Sequence, residues 1–291
     1  MAQQPEIWAA CGVEIEIVEP VIMGIVNVTP DSFSDGGVNL ATEEAIATGI
    51  AMASDGAGII DVGGESTRPG ANPVSEEDEL VRVIPVIRGL ADEGLTVSID
   101  TSKPTVAQAA IEAGAVIVND VTGLHDRAMI DVVAESGAGC VIMHMNGTPR
   151  TMQANPTYED VVLEVGEFLK WRAESAVAGG VRPSSIVVDP GIGFGKTLDH
   201  NLQLMRGITT IAKLGFPVLI GPSRKGFLGE MMAPIRGKTE PADRDAATLG
   251  AVAFAIERGA RIIRVHNVAP AVEVAHVVTA MVRSEGRERQ P

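Results

Sequence analysis

Aromatic side chains are scarce in this sequence: 3% of 291 residues, with 2 Trp, 1 Tyr and 6 Phe. A folded core must therefore be built from Val, Ile, Leu, Ala and Met. Cysteine is nearly absent. Cys11 and Cys140 are too few and too far apart for a thiolate metal site or a disulfide scaffold, and they fit a reducing, cytoplasmic setting. No uninterrupted apolar run approaches the ~20 residues of a membrane span, and MAQQPEIWAACG lacks the basic segment and long apolar stretch of an export signal. Neither export nor membrane insertion is expected. Basic residues are outnumbered, 23 Lys and Arg against 38 Asp and Glu, for a net charge of −15 at pH 7. Such a chain repels phosphate backbones, which argues against nucleic acid as a partner. The five histidines form no metal constellation, and neither HExxH nor GxSxG occurs. Cys140 lies before the end of its strand, so a Ser or Cys nucleophile has little support.

What is present is periodic. Hydrophobic residues make up 45% of the chain, charged residues 21%, and the 32 glycines are scattered as turn residues are. Eight short apolar runs read as strands buried on both faces: Val21–Asn27, Gly58–Val62, Thr96–Asp100, Val116–Asn119, Gly139–His144, Ser185–Asp189, Pro217–Gly221 and Arg261–His266. Between and after them come helical patterns at Thr42–Ser54, Ser75–Leu90, Pro104–Ala113, Arg127–Ser136, Tyr158–Ala178, His200–Leu214, Arg244–Arg258 and Pro270–Val282. Thr42 and Ser75 suit N-caps, and Pro104 suits a first helical position. Eight strands, each followed by a helix, predict one α/β domain over 1–291, a (β/α)8 TIM barrel spanning about 21–283. An open doubly wound sheet is the rival, and would normally have fewer strands. The alternation in EIEIV predicts a short hairpin in residues 6–20 that plugs the barrel bottom, and the polar tail Ser284–Pro291 is expected to fray.

Barrel enzymes work at the C-terminal ends of their strands. Here those ends carry Asn27, Asp61, Asp100, Asn119, His144, Asp189, Ser223-Arg224-Lys225 and His266. One polar strand end says little; so many point to one mouth. Asp100 and Asp189 suit the N–H groups of a heterocycle, whereas Arg68, Lys225, Arg264 and His266 suit anions. Arg264 and His266 are two residues apart on one strand and share a face. With Asn27 on the neighbouring strand they resemble a phosphate or pyrophosphate site that could also hold Mg²⁺. The loop from Asp189 to Thr197 is neither a P-loop, since Pro190 stands where glycine is required, nor a dinucleotide fingerprint, since Lys196 does. Its glycines suit a close backbone approach to a flat ligand, with Phe194 stacking on it. The glycine-ended loops after strands 1 and 2 suit mobile lids.

The strings MGIVNVTPDSFSDGG, IIDVGGESTRPGA, SIDTSKP, IVNDVTG, VIMHMNGTPRTMQ, DPGIGFGKT, GPSRKGFLG and IIRVHNV run in order from residue 23 to 268 and resemble those of the dihydropteroate synthase family. The resemblance implies condensation of 6-hydroxymethyl-7,8-dihydropterin pyrophosphate with p-aminobenzoate, giving 7,8-dihydropteroate and pyrophosphate on the path to folate. It implies a pterin pocket of Asp100, Asn119, Met143, Asp189 and Lys225, and a pyrophosphate site of Asn27, Arg68, Arg264 and His266, with Mg²⁺ at Asn27. It further implies an aminobenzoate site of Thr67, Arg68, Pro69, Phe194, Ser223 and Lys225, with Phe33 and Asp35 ordering the first loop. A cytoplasmic homodimer formed through barrel helices goes with the family. Two alternatives share the pocket. A pterin-binding methyltransferase would not need the anion cluster, and a silent paralogue would have lost its strand-end residues.

Overall fold

The computed structural model describes residues 6–28, 37–68 and 70–284. An antiparallel hairpin comes first, β1 (Glu6–Ala10) and β2 (Val13–Ile17), turning through Cys11 and Gly12, both at positive φ. Eight parallel strands follow: β3 (Val21–Asn27), β4 (Ile59–Gly63), β5 (Val97–Asp100), β6 (Ile117–Asp120), β7 (Gly139–Met143), β8 (Ile186–Asp189), β9 (Leu219–Ile220) and β10 (Ile262–Val265). They pair in the order β8-β7-β6-β5-β4-β3-β10-β9, and a bridge between Val188 and Val218 joins the two ends into a barrel. The (β/α)8 expectation holds, and the doubly wound rival falls.

The helices are α1 (Gly37–Ser54), α2 (Glu76–Asp92), α3 (Pro104–Glu112), α4 (Arg127–Ser136), α5 (Val161–Ala178), α6 (Leu198–Arg206), α7 (Ile208–Ala212), α8 (Gly226–Arg236), α9 (Asp245–Glu257) and α10 (Val268–Ser284). Ser75 caps α2 as expected, its hydroxyl accepting from the Asp78 backbone N–H at 3.1 Å. Two expectations need correction. Thr42 is not a cap, because α1 begins at Gly37. The sequence reading also passed over α8, whose Gly226, Gly229 and Pro234 look like breakers; Pro234 sits in its last turn, where few backbone bonds remain to be lost.

Strand side chains alternate between two cores, as a period of two requires. Ile22, Ile60, Val97, Ile99, Val118, Ile142, Val188, Ile220 and Ile263 pack outward against the helices. Met23, Ile59, Ile117, Val141, Val187, Leu219 and Ile262 point inward and form a separate layer with Trp8, Ala10 and Ile17 of the hairpin. The hairpin therefore does plug the barrel bottom, and the Trp8 indole N–H donates to the Ser185 carbonyl at 2.9 Å.

Candidate active site

Two residues further along each strand, the inward positions change character. Above the apolar layer stand Ile25, Asp61, Asp100, Asn119, Met143, Asp189, Gly221 and Arg264. Backbone period thus lifts polar side chains to one level at the top of the barrel, above the apolar layer that packs on the hairpin. Asp61, Asp100, Asn119, Met143 and Asp189 are all buried there.

Arg264 ties this layer together. Its Nε donates to Asp61 Oδ2 at 2.6 Å and its Nη2 to Asp100 Oδ2 at 2.6 Å, while Asn119 Nδ2 donates to Asp61 Oδ2 at 3.0 Å. Burial pushes the Asp100 carboxyl up to about 7 against the pull of Arg264, and Asp61 adds to the rise. Burial also raises Asp189, partly offset by Lys225 and by the Gly191 N–H, which donates to its Oδ1 at 2.7 Å. Lys225 is pulled down to about 8 by burial, with Asp189 opposing the fall. Its ammonium donates to the Ile192 carbonyl and lies 4.2 Å from the centre of the Phe194 ring, a cation–π contact. The backbone N–H of His266 donates to Ser223 Oγ at 3.2 Å, and that hydroxyl also meets His266 Nδ1 at 2.9 Å. Burial, with Arg224 and Arg264 nearby, pulls His266 down to about 4, so its imidazole is neutral at pH 7.

A cavity of about 1020 Å³ opens over this layer. Asn27, Thr67, Arg68, Asp100, Phe194, Ser223, Lys225, Arg264 and His266 all line it. Among its described lining residues are seven Arg and Lys and four Asp and Glu, a richer basic share than in the acidic chain as a whole, although Arg264 is paired with Asp61 and Asp100 and Arg224 with Asp245. Phe33, Asp35 and Pro69 lie outside the described residues. Of the polar strand ends, His144 turns away. It follows the inward Met143, so alternation points it outward, and its ring packs edge-on against Phe168 with centroids 4.9 Å apart.

Three features went unread in the sequence. Asp61 was visible only as a polar strand end; its place under Arg264 and Asn119 needs the strand register. Lys103, from the β5–α3 turn, forms ion pairs with Glu65 and with the fully buried Glu79, joining the base of the loop after β4 to α2. Lys196, for which the sequence offers no role without a P-loop, is buried against His144. In the Asp189–Thr197 loop, Gly191, Gly193 and Gly195 all have positive φ (68°, 84° and 65°). Alternate glycines are what this backbone requires.

Among the described residues no three His, Cys, Asp or Glu side chains gather to hold a metal. The exposed amide of Asn27 at the end of β3 could still supply one oxygen to Mg²⁺. That suits an ion whose remaining ligands are water and substrate phosphate oxygens.

The family of pterin binding enzymes matches residues 23–266. A dihydropteroate synthase of Neisseria meningitidis serogroup C is 45% identical over 266 residues, covering 90% of this chain and 93% of the relative. A Xanthomonas albilineans dihydropteroate synthase solved with 4-aminobenzoic acid superposes with a TM-score of 0.88 at 42% identity, covering 98% of this chain and 100% of that one. The structure of the enzyme from that organism in complex with 7,8-dihydropteroate gives 0.83 at 40% identity, covering 94% and 98%.

Proposed function

The chain belongs to the dihydropteroate synthases among the pterin binding enzymes, and from that premise we propose which of its residues hold each substrate and how pyrophosphate is made to leave. It is a transferase of folate biosynthesis that condenses dihydropterin pyrophosphate with p-aminobenzoate to give 7,8-dihydropteroate and pyrophosphate. One observation carries the residue assignment: Asp100 and Arg264 of the buried polar layer line a single cavity together with Lys225, Arg68 and the neutral His266, and Arg264 joins Asp100 to Asp61 behind that wall.

The pterin is a flat heterocycle rich in N–H donors. Asp100, Asn119 and Asp189 offer acceptors in a buried layer, where such bonds count for more than in water. Met143 supplies an apolar side. Lys225 lies between Asp189 and Phe194, and so serves both the pterin and the aminobenzoate carboxylate. Thr67, Arg68, Ser223 and Phe194 complete the aminobenzoate site among the described residues; the resemblance adds Pro69, Phe33 and Asp35, which lie outside them. An aniline amine is uncharged at neutral pH and needs no strong base, which fits the lack of a catalytic triad.

The hard step is departure of pyrophosphate from the pterin methylene. We assign a dissociative substitution: the C–O bond breaks first and leaves a resonance-stabilised pterin cation, which the aniline nitrogen then attacks, losing a proton. Asp100 stabilises that cation, and Arg264 holds Asp100 in register. Arg68, Asn27 and the neutral His266, acting as a hydrogen-bond donor rather than as a charge, receive the leaving group. Mg²⁺ at Asn27 would supply further neutralisation of the pyrophosphate.

Phe254 on α9, with Val277 and Val282 on α10, is exposed on adjacent packed helices, which supports a homodimer formed there. No helix among the described residues is long and apolar enough to cross a membrane, and both cysteines are free thiols, as a cytoplasmic enzyme would have them.

The test is purified protein with both substrates and Mg²⁺, following pyrophosphate release and dihydropteroate formation together. Matched release is expected. Asp100→Asn should lower turnover by ~10²–10³, the scale of a lost preorganised group. Near-full turnover in a folded Asp100→Asn variant would remove Asp100 from this role.

A further inference from the structure

We infer that Lys196 is a positioning residue for the p-aminobenzoate site, holding Phe194 in place by tying the glycine loop after β8 to the end of β7. The inference rests on the reading above that Phe194 and Lys225 flank the aminobenzoate.

Lys196 lies on the cavity wall yet is only 3% exposed. Its Nζ meets three acceptors: His144 Nδ1 at 2.9 Å, the Phe194 carbonyl at 2.9 Å and the His144 carbonyl at 3.4 Å. An ammonium has three N–H donors, so this one is fully used by protein and has none left for an anion. Burial pulls His144 down to about 3, so its ring is neutral and Nδ1 can accept. The ring is itself held between Phe168 and Tyr158. The tie thus runs from a fixed imidazole, through Lys196, to the peptide oxygen of Phe194.

Two further bonds pull the same loop toward the segment between β7 and α5. Tyr158 Oη donates to the Gly195 carbonyl at 2.9 Å, and Gln153 Nε2 donates to the Gly193 carbonyl at 2.9 Å. The approach is as close as backbone allows. A Cβ at Gly191 would stand 1.9 Å from the His144 carbonyl oxygen, and one at Gly195 2.6 Å from that of Asn146. On the other face of the loop, the Phe194 ring meets the Lys225 ammonium.

Packing alone does not call for a cation here. Among the described residues no carboxylate accepts a hydrogen bond from Lys196 Nζ, and burial pulls its ammonium down to about 7, with Asp189 opposing the fall, so the charge placed here opposes folding. A methionine would fill similar space without that cost. Only an ammonium supplies three directed bonds at one point; one holds the Phe194 carbonyl of its own loop and two anchor that loop to His144 at the end of β7.

The test is steady-state kinetics on Lys196→Met, Phe194→Leu, the double variant and Gln153→Ala, with thermal melts to establish folding. Lys196→Met should raise KM for p-aminobenzoate about tenfold while kcat and KM for the pterin pyrophosphate move less than about threefold, and Phe194→Leu should add little in the Lys196→Met background. Gln153→Ala, on the exposed side of the clamp, should raise the same KM by a smaller factor. An unchanged KM in Phe194→Leu alone would sink the aminobenzoate site reading itself. A raised KM there, with Lys196→Met folded and unaffected or strictly additive, would overturn the inference. If Lys196→Met does not fold, an unchanged aminobenzoate KM in Gln153→Ala overturns it.

Discussion

Asp100 and Lys225 show how the barrel interior sets protonation. Asp100 is buried in the strand layer and Lys225 is half-buried at the start of α8, and each is pushed toward its neutral form, to about 7 and about 8 respectively. The acid is active as a carboxylate, present above its pKa; the amine is active as an ammonium, present below its own. The free enzyme is therefore competent in a narrow window between the two. We expect kcat/KM for the pterin pyrophosphate to rise with pH through about 7 and fall through about 8, a bell reporting free-enzyme groups. The substrate phosphates titrate too, so the control is Asp100→Asn, which should flatten the acid limb and spare the alkaline one. An acid limb that survives in Asp100→Asn would assign it to the substrate or another group. At this scale the sequence was legible in residue type more than in partner. It marked Asp100, Asp189, Lys225, Arg264 and His266, but read Arg264 and His266 as cations for an anion. The structure binds Arg264 to Asp61 and Asp100 and leaves His266 neutral. Hydrogen-bond partners depend on strand register and on burial, and neither is encoded at the residue itself.

Among the elements, the strands were legible because buried parallel strands are continuous apolar runs ended by turn residues, and the barrel needs all eight. Inward and outward faces follow once one residue is placed: Met23, Ile59, Ile117, Val141, Val187, Leu219 and Ile262 fix the lower layer, and adding two reaches the site. Helix α8 was not legible, since Gly226, Gly229 and Pro234 weigh against a helix locally and tertiary packing overrides them. The terminal hairpin was legible by alternation, and its load is now assignable. Trp8 is fully buried beneath the barrel and far from the mouth, so it should carry stability without chemistry. Trp8→Ala should cost ~3–5 kcal/mol, as large aromatic truncations in cores do, with the lost Ser185 contact included. Chemical denaturation would measure the loss. Turnover per folded molecule well below the parent would show that the plug also shapes the carboxylate layer two residues above it.

For the molecule as a whole, two fields of opposite sign act on an anionic substrate. The chain carries −15 at pH 7, which repels a pyrophosphate from a distance, whereas the lining of the mouth has more Arg and Lys than Asp and Glu and attracts it close in. Ionic strength separates the two, because charges beyond a Debye length are screened: ~30 Å at 0.01 M salt but only ~8 Å at 0.15 M. At the lowest salt the substrate feels the entire acidic surface. At moderate salt that repulsion fades while the cavity, with low-dielectric walls, keeps much of its field. Higher salt then weakens the contacts at the mouth as well. We therefore expect kcat/KM for the pterin pyrophosphate, at fixed saturating Mg²⁺, to pass through a maximum as NaCl is raised from 0.01 M toward 1 M, with kcat nearly flat. KM for p-aminobenzoate, a monoanion, should follow the same trend more weakly. A monotonic fall from the lowest salt would mean that the mouth dominates the field even tens of ångströms out, and that the acidity of the surface serves solubility alone.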